Sequence, residues 1–238
     1  MRKLIARRTG YMSEVIYGAG GHARELAFQL EAQGRKVLAF IDDFDFGREI
    51  GSVSVVTFDE ALNSHKSATW HMAIGNIAAR RKLLAKMESA GLSIGGFISD
   101  RAIIAPTATI HPTAQVFGGA VVSDSCEIHQ NAIVSFGAVL EHDVCIGANS
   151  FICPNCSIAG GVIVGSGVWV GIGSTIRESS KDRQIKIGDN SLIGAASCVL
   201  DSIPEKTVAY GVPAKCRSKS SANFLSSDAD IHRDVRGH

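Results

Sequence analysis

Counting in sixes from Ile104, the chain carries Ile, Val or Leu at 104, 110, 116, 122, 128, 134, 140, 146, 152, 158, 164, 170 and 176 without interruption. Four places after each stands a smaller residue: Ala108, Ala114, Ala120, Cys126, Ala132, Ala138, Val144, Ser150, Cys156, Val162, Val168, Ser174 and Ser180. Large and small side chains alternating with a period of six predict a parallel β-helix. Each hexad supplies a short strand and a corner, three hexads close one triangular coil, and the aliphatic ladder stacks inside. Residues eighteen apart then lie one above another at the ordinary spacing of paired strands, about 4.8 Å. The pattern resumes at Ile187, Ile193 and Val199 after an out-of-phase charged stretch, Arg177 to Lys186, which reads as a loop thrown out from one corner. Sixteen hexads amount to about five coils, enough for a solenoid whose end coils need caps. No strand run is long enough to cross a membrane.

Residues 14 to 99 follow another rhythm. A β-rich run, Glu14 to Tyr17, meets a glycine turn, then a helix pattern through about Gln33, then a second strand from Lys36 to Ile41, which is a βαβ unit. The turn Gly18-Ala19-Gly20-Gly21-His22-Ala23 approaches the dinucleotide fingerprint, with Ala23 where the third glycine would stand. Such glycines let the backbone approach a phosphate, and the helix behind them offers free N–H groups and the positive end of its dipole. Asp42 and Asp43 close the second strand, where a ribose-binding acid is expected. A further strand, Thr69 to Ile74, leads through Gly75-Asn76 into a helix carrying Arg80, Arg81 and Lys82. These features point to a nucleotide site at the carboxyl ends of the strands, although the same glycines could simply make a tight turn. A domain of this size is about half a dinucleotide domain and has room for a mononucleotide rather than NAD.

The 238 residues suffice for two cores, and the expected division is a Rossmann-like nucleotide-sugar-binding domain over residues 13–100, a β-helix over 101–217 and a disordered tail over 218–238. With 45% hydrophobic and 20% charged residues the composition is that of a soluble globular protein, and a net charge of +1 gives no reason to expect nucleic acid. The basic cluster Arg2, Lys3, Arg7 and Arg8 lacks the apolar run of a signal peptide, and residues 1 to 12 are expected to lack order. Six irregularly placed cysteines suit a reducing cytoplasm. Cys153 and Cys156 form a CxxC, but Cys156 occupies the small interior slot of its hexad and no second CxxC exists, which favours packing over metal or redox chemistry.

Of the β-helix histidines, His111 and His129 stack eighteen apart, yet no HxxxxH pair accompanies them. A surface ladder is therefore expected and no metal. His142 stands at a corner in Leu140-Glu141-His142-Asp143, flanked by acids, with Asp124 one coil below. An imidazole beside a carboxylate is a suitable general base at neutral pH, because the carboxylate fixes the tautomer and stabilises the imidazolium that forms. One coil above, Gly160-Gly161 leave bare backbone that a long thin ligand could approach, and Gly171-Ile172-Gly173 is expected to continue that groove.

Through YGAGGHARE, FIDD, AIGN with Arg80, the corner EHD, Ala159-Gly160-Gly161 and the closing Tyr210-Gly211-Val212-Pro213-Ala214-Lys215, residues 14 to 217 resemble the bacterial sugar O/N-acyltransferases. These join a Rossmann-like domain to a left-handed β-helix and include N-acetyltransferases of nucleotide-linked 4-amino sugars and sialic acid O-acetyltransferases. The resemblance implies the left-handed coil, an exception to the usual crossover hand. It also implies a homotrimer with active sites between neighbouring β-helices, acetyl-CoA along the groove and the acceptor's nucleotide in the N-terminal domain. His142 would be the general base and Asp143 its orienting acid. Gly20, Gly21, His22, Asp42, Asp43, Asn76, Arg80 and Ser135 would hold the acceptor. Phe151, Gly160, Gly161, Ile172, Gly173 and Ala195 would line the pantetheine arm, with Pro213 and Lys215 near the CoA nucleotide. Where family members often have a second histidine nine places after the catalytic one, this chain has Phe151, which leaves thioester polarisation to backbone N–H groups, with an amide near Gly160 facing the oxyanion. Where many have Asn-Thr, it has Ser135-Phe136.

The expected activity is acetyl-CoA-dependent N-acetylation of a nucleotide-linked amino sugar of the 4-amino-4,6-dideoxyhexose type for surface glycan synthesis, by direct transfer. The alternatives are O-acetylation of a sialic-type sugar, a zinc hydratase like the γ-class carbonic anhydrases, and a non-catalytic nucleotide-sugar sensor.

Overall fold

The computed structural model describes residues 13–217; the expected disorder of residues 1–12 and 218–238 falls outside the described residues. The chain begins with β1 (Ser13–Tyr17), α1 (Gly21–Ala32), β2 (Lys36–Ile41), β3 (Arg48–Ile50), β4 (Val53–Val56), α2 (Phe58–His65), β5 (Thr69–Met72), α3 (Ile77–Ser89) and β6 (Ser93–Ile94). One sheet in the order β3-β4-β2-β1-β5-β6 results, parallel except for the β3–β4 hairpin. The central position of β1 explains why its Val15 and Ile16 are wholly buried. Helix α1 packs through Ala23, Leu26, Ala27 and Leu30, spaced for one helical face. Gly18, at φ +125°, is irreplaceable for a steric reason, since a Cβ there would meet the Ala73 carbonyl oxygen at 2.5 Å. Below the sheet's centre the buried Glu14 carboxylate accepts from Arg35 Nε and pairs with His71 Nε2, both at 2.7 Å. Removing one partner of such a buried cluster costs about 3–5 kcal/mol, because a charge is left uncompensated.

The solenoid is built from three sheets. Face I stacks Phe97–Ile98, Gln115–Val116, Ile133–Val134, Phe151–Ile152, Trp169–Val170, Leu192–Ile193 and the capping hairpin Val208–Gly211/Ala214–Arg217. Face II stacks Ile103–Ile104, Val121–Val122, Val139–Leu140, Ser157–Ile158, Thr175–Ile176 and Cys198–Val199. Face III stacks Thr109–Ile110, Glu127–Ile128, Cys145–Ile146, Ile163–Val164 and Lys186–Ile187. Every hexad position counted from Ile104 to Val199 is a strand residue, and the coil is the left-handed parallel β-helix. The ladder reaches one hexad further back than expected, because Phe97–Ile98 pairs with Gln115–Val116.

From Gly119 to Gly173 each corner holds one residue in the left-handed conformation, which is why Asn, Gly, Asp or Ser recurs there, among them Asn131, Asp143, Asn155 and Gly161. The small interior slots are buried as counted, with two exceptions, the first being Ala108, which is only partly buried in the first coil. Ser180 lies outside in the Arg177–Lys186 insertion, and Ile185, fully buried, takes the interior slot instead. Interior Ser150 and Ser174 donate their hydroxyls to carbonyls of the next coil, at Gly165 and Gly194, so their burial leaves no polar atom unpaired.

The N-terminal domain lies on face I. Gln115 Nε2 donates to the Met72 carbonyl, Arg80 Nη2 to that of Asn131, and Arg81 to the Asn190 side chain. The outward residues Gln115, Ile133 and Phe151 are accordingly buried, whereas Glu127, Ser157 and Thr175 on the other two faces are exposed.

Candidate active site

His142 occupies the corner between faces II and III, with its side chain 64% exposed. The left-handed backbone of Asp143, φ +60°, turns its carboxylate back on the ring, and His142 Nδ1–H donates to Asp143 Oδ2 at 2.8 Å. An ionised carboxylate only accepts, so the proton sits on Nδ1 and the lone pair on Nε2. This hydrogen bond, with the charges of Asp143, Glu141 and Asp124, raises the His142 pKa above the ordinary histidine value against a smaller desolvation effect. Asp124 acts only through its charge, because its oxygens accept from the hydroxyls of Thr107 and Ser125. The ring lies against Gly160, where a Cβ would approach Cε1 and Nε2 to 2.5 Å. Only glycine admits the imidazole in this position.

Two expectations about this corner are corrected. The Gly160 N–H does not stand bare for an oxyanion; it donates to Glu141 Oε2 at 3.0 Å. The Gly161 N–H donates to the His142 carbonyl, and the Gly161 carbonyl accepts from Gln184 Nε2 and Ser179 Oγ of the charged insertion. The insertion therefore closes over the Gly161 end of the groove, because it leaves from this same corner two coils above His142.

The residues expected around the acceptor gather on the other side of the prism. Gly20 is the N-cap of α1 with no side-chain cap, and a Cβ on Gly21 would meet nothing within 4 Å, so the first turn of the helix faces open space. His22 packs its ring 5.4 Å from both Phe117 and Phe151, and burial lowers its pKa. Beside it Arg80 is 1% exposed, is pushed down to about 10 by burial, and so remains a cation at neutral pH. His22 Nε2, Arg80 Nε and Nη1, and Gln115 Oε1 are all buried without a hydrogen-bond partner among the described residues. Two of these four atoms belong to the buried cation itself, and unpaired buried polar atoms gathered in this way suit an anionic ligand.

Three other expected acceptor residues already have internal partners. Asp42 Oδ1 accepts from the Phe44 and Asp45 amides. Asp43 accepts from Phe58 N–H, the Tyr17 hydroxyl and Lys86 Nζ; burial alone would raise its pKa, but these three partners hold it below the ordinary carboxylate range. The Asn76 side-chain oxygen caps α3 by accepting from Ala79 N–H. Ser135 is buried at the corner between faces I and II.

The residues expected along the pantetheine arm divide between two places. Gly160 and Gly161 lie at the II–III corner with His142. Ile172, 52% exposed, Gly173 and Ala195 lie at the I–II corner, with Pro213 and Lys215 in the hairpin above face I. Phe151 is on face I itself, its ring 4.7 Å from that of Trp169. The II–III corner is the vertex opposite face I, so one chain does not unite His142 with His22, Arg80 or Ile172. Gln115, Phe117 and Trp169 were not singled out in the sequence. The signal was present, since Ile133, Phe151 and Trp169 form an outward apolar column eighteen apart, which only a covered face explains.

Residues 15–87 match the model of the PglD N-terminal domain family. PerB from Caulobacter crescentus, whose structure holds CoA and GDP-perosamine, is 31% identical, and the match covers 87% of this chain and 97% of that one with a TM-score of 0.79. This chain belongs to the bacterial nucleotide-aminosugar N-acetyltransferase family. The acetyltransferase domain of PglB from Neisseria gonorrhoeae FA1090, solved with acetyl coenzyme A, is 26% identical over 87% of this chain and 100% of that one, with a TM-score of 0.79. WeeI from Acinetobacter baumannii AYE, 18% identical over 87% of this chain and 100% of that one with a TM-score of 0.65, shares the fold. As a family member the protein is an acetyltransferase. Among the described residues no helix is long and apolar enough to cross a membrane.

Proposed function

We propose that this protein transfers acetyl from acetyl-CoA to the amino group of a nucleotide-linked sugar of the 4-amino-4,6-dideoxyhexose type. The observation that carries the reading is the Asp143–His142 pair lying on Gly160: a carboxylate-oriented imidazole, its Nε2 lone pair free, at a place where no side chain separates it from the coil above. His142 Nε2 takes a proton from the acceptor amine as the amine nitrogen bonds to the thioester carbon. The tetrahedral oxyanion then collapses, the C–S bond breaks, CoA leaves as its thiolate, and the imidazolium returns the proton to that sulfur. Asp143 stabilises the imidazolium through Nδ1–H. For the Gly160 N–H to receive the oxyanion, the exposed Glu141 side chain must first move off it.

The anionic acceptor is favoured by the open first turn of α1 and by the buried Arg80 cation with its two unspent donors; together they suit a diphosphate. Gly20, Gly21, His22 and Arg80 thus take the nucleotide sugar. Asp43 and Asn76 shape the site through the loops they hold rather than through free oxygens, whereas Asp42 spends only Oδ1 on its loop. Because His142 and the acceptor residues occupy opposite sides of one prism, the working site joins the II–III corner of one subunit to face I and the I–II corner of another, as in a homotrimer. Acetyl-CoA would run between them past Ile172, Gly173 and Ala195 towards Pro213 and Lys215. Six free cysteines fit action in the reducing cytoplasm.

The test is a panel of UDP-, GDP- and dTDP-linked amino sugars with acetyl-CoA, read by CoA release. Acetylation of a nucleotide-linked 4-amino sugar is expected. Release with free sialic-type acids and not with any amino sugar would overturn the reading.

A further inference from the structure

Face III carries a cluster that acetyl transfer does not use. Glu127 and Cys145 are partners on adjacent rungs, and His129 follows the Glu127 strand by one residue. One ligand atom from each lies within 4.8 Å of the other two. His129 Nε2 stands 3.6 Å from Glu127 Oε2 and 3.5 Å from Cys145 Sγ. A tetrahedral zinc ion, with bonds of about 2.3 Å to sulfur and about 2.0–2.1 Å to nitrogen and oxygen, sets its donors about 3.5 Å apart for S···N and about 3.4 Å for N···O. The two measured separations are those edges to within about 0.2 Å.

We propose that Glu127, His129 and Cys145 form a zinc site, with the fourth position open to water on the exposed side of face III. The donor set is one thiolate, one imidazole and one carboxylate, which suits a borderline-soft divalent ion and disfavours Mg²⁺ or Ca²⁺. The stacked pair His111 and His129 is not the ligand set, because His111 Nδ1 is engaged with the Thr113 hydroxyl and backbone. The parallel pairing of adjacent rungs holds Glu127 and Cys145 side by side. In the metal-free protein burial, and then the Glu127 charge, keep the Cys145 thiol protonated. On binding, the S–H bond breaks, the S–Zn bond forms and one proton passes to solvent.

The experiment is a titration of metal-free full-length protein with Co²⁺. The expected result is a thiolate-to-cobalt charge-transfer band in the near ultraviolet and tetrahedral visible bands, both saturating at one equivalent and erased by Zn²⁺. Cys145→Ser abolishes the charge-transfer band, and His129→Ala weakens Zn²⁺ binding by more than about tenfold in chelator competition. Cys216→Ser and His111→Ala leave both unchanged. All three cluster residues lie on a solvent-facing strand and corner, and circular dichroism checks that each variant is folded. A charge-transfer band that survives Cys145→Ser, or no saturable band in the unsubstituted protein, overturns the proposal.

Discussion

The imidazole of His142 rests on the bare Cα of Gly160, one coil above it, so closely that a methyl group there would stand 2.5 Å from both Cε1 and Nε2. Gly160→Ala must therefore turn the ring off its hydrogen bond to Asp143. Turnover is expected to fall by about 10-fold to 100-fold while thermal stability changes little, since the corner is exposed and the ring can swing into solvent. Steady-state kinetics beside a melting curve checks this, and a fully active Gly160→Ala would mean that the ring's position does not matter.

A general base works when unprotonated, and Asp143 raises the His142 pKa. The acid limb of the kcat/KM profile is therefore expected above the ordinary histidine value of about 6.5, with activity falling as the pH drops through it. Asp143→Asn removes the hydrogen-bonded charge that raises the pKa, so the limb moves to lower pH and the maximum rate drops. His142→Asn lowers turnover by roughly 10² to 10⁴-fold and leaves acetyl-CoA binding in place. An unchanged pH profile in Asp143→Asn contradicts the pairing.

Among the described residues Arg80 has no carboxylate partner and keeps two unspent donor nitrogens. Arg80→Gln is expected to raise KM for the nucleotide sugar by tenfold or more, about 1.4 kcal/mol, and to leave KM for acetyl-CoA unchanged. The Asn131 carbonyl loses its donor as well, for a stability cost of about 1–3 kcal/mol. A change confined to acetyl-CoA affinity would place the arginine at the wrong substrate.

Burial pushes the Cys153 thiol up to about 12 and raises that of Cys156, whose Sγ donates to the Gly171 carbonyl. One coil above, Ser174 makes the same kind of bond to Gly194. Serine therefore fits the column of Cys156, and Ser135 stands one coil below Cys153, so Cys153→Ser and Cys156→Ser are expected to keep near-normal turnover. Loss of catalysis in the folded double variant would restore a thiol to the mechanism.

The ladder was legible because a six-residue period leaves little choice: an aliphatic residue at every sixth place can be buried together only in this coil. The βαβ start was legible for the same kind of reason, since Gly18 must tolerate a carbonyl where a Cβ would stand. Two things were not read. Whether a polar atom is already spent is decided by partners distant in sequence, as Asp43 shows with Phe58, Tyr17 and Lys86, and Gly160 with Glu141. The other was within reach of counting. Ile172 lies thirty residues after His142, which is not a multiple of eighteen, so the two were never on one vertex and a groove joining them along a single chain was excluded by phase alone.

That opposition is the centre of the account, and mixed assemblies test it most directly. Co-express His142→Ala, defective at the II–III corner, with His22→Ala, defective at face I, under two affinity tags, and purify through both. If each site takes its base from one subunit and its acceptor pocket from the next, every mixed trimer that carries both tags keeps one of its three sites intact, roughly one third of the wild-type activity, although each variant alone is inactive. Activity no higher than that of the separate variants would contradict a shared site.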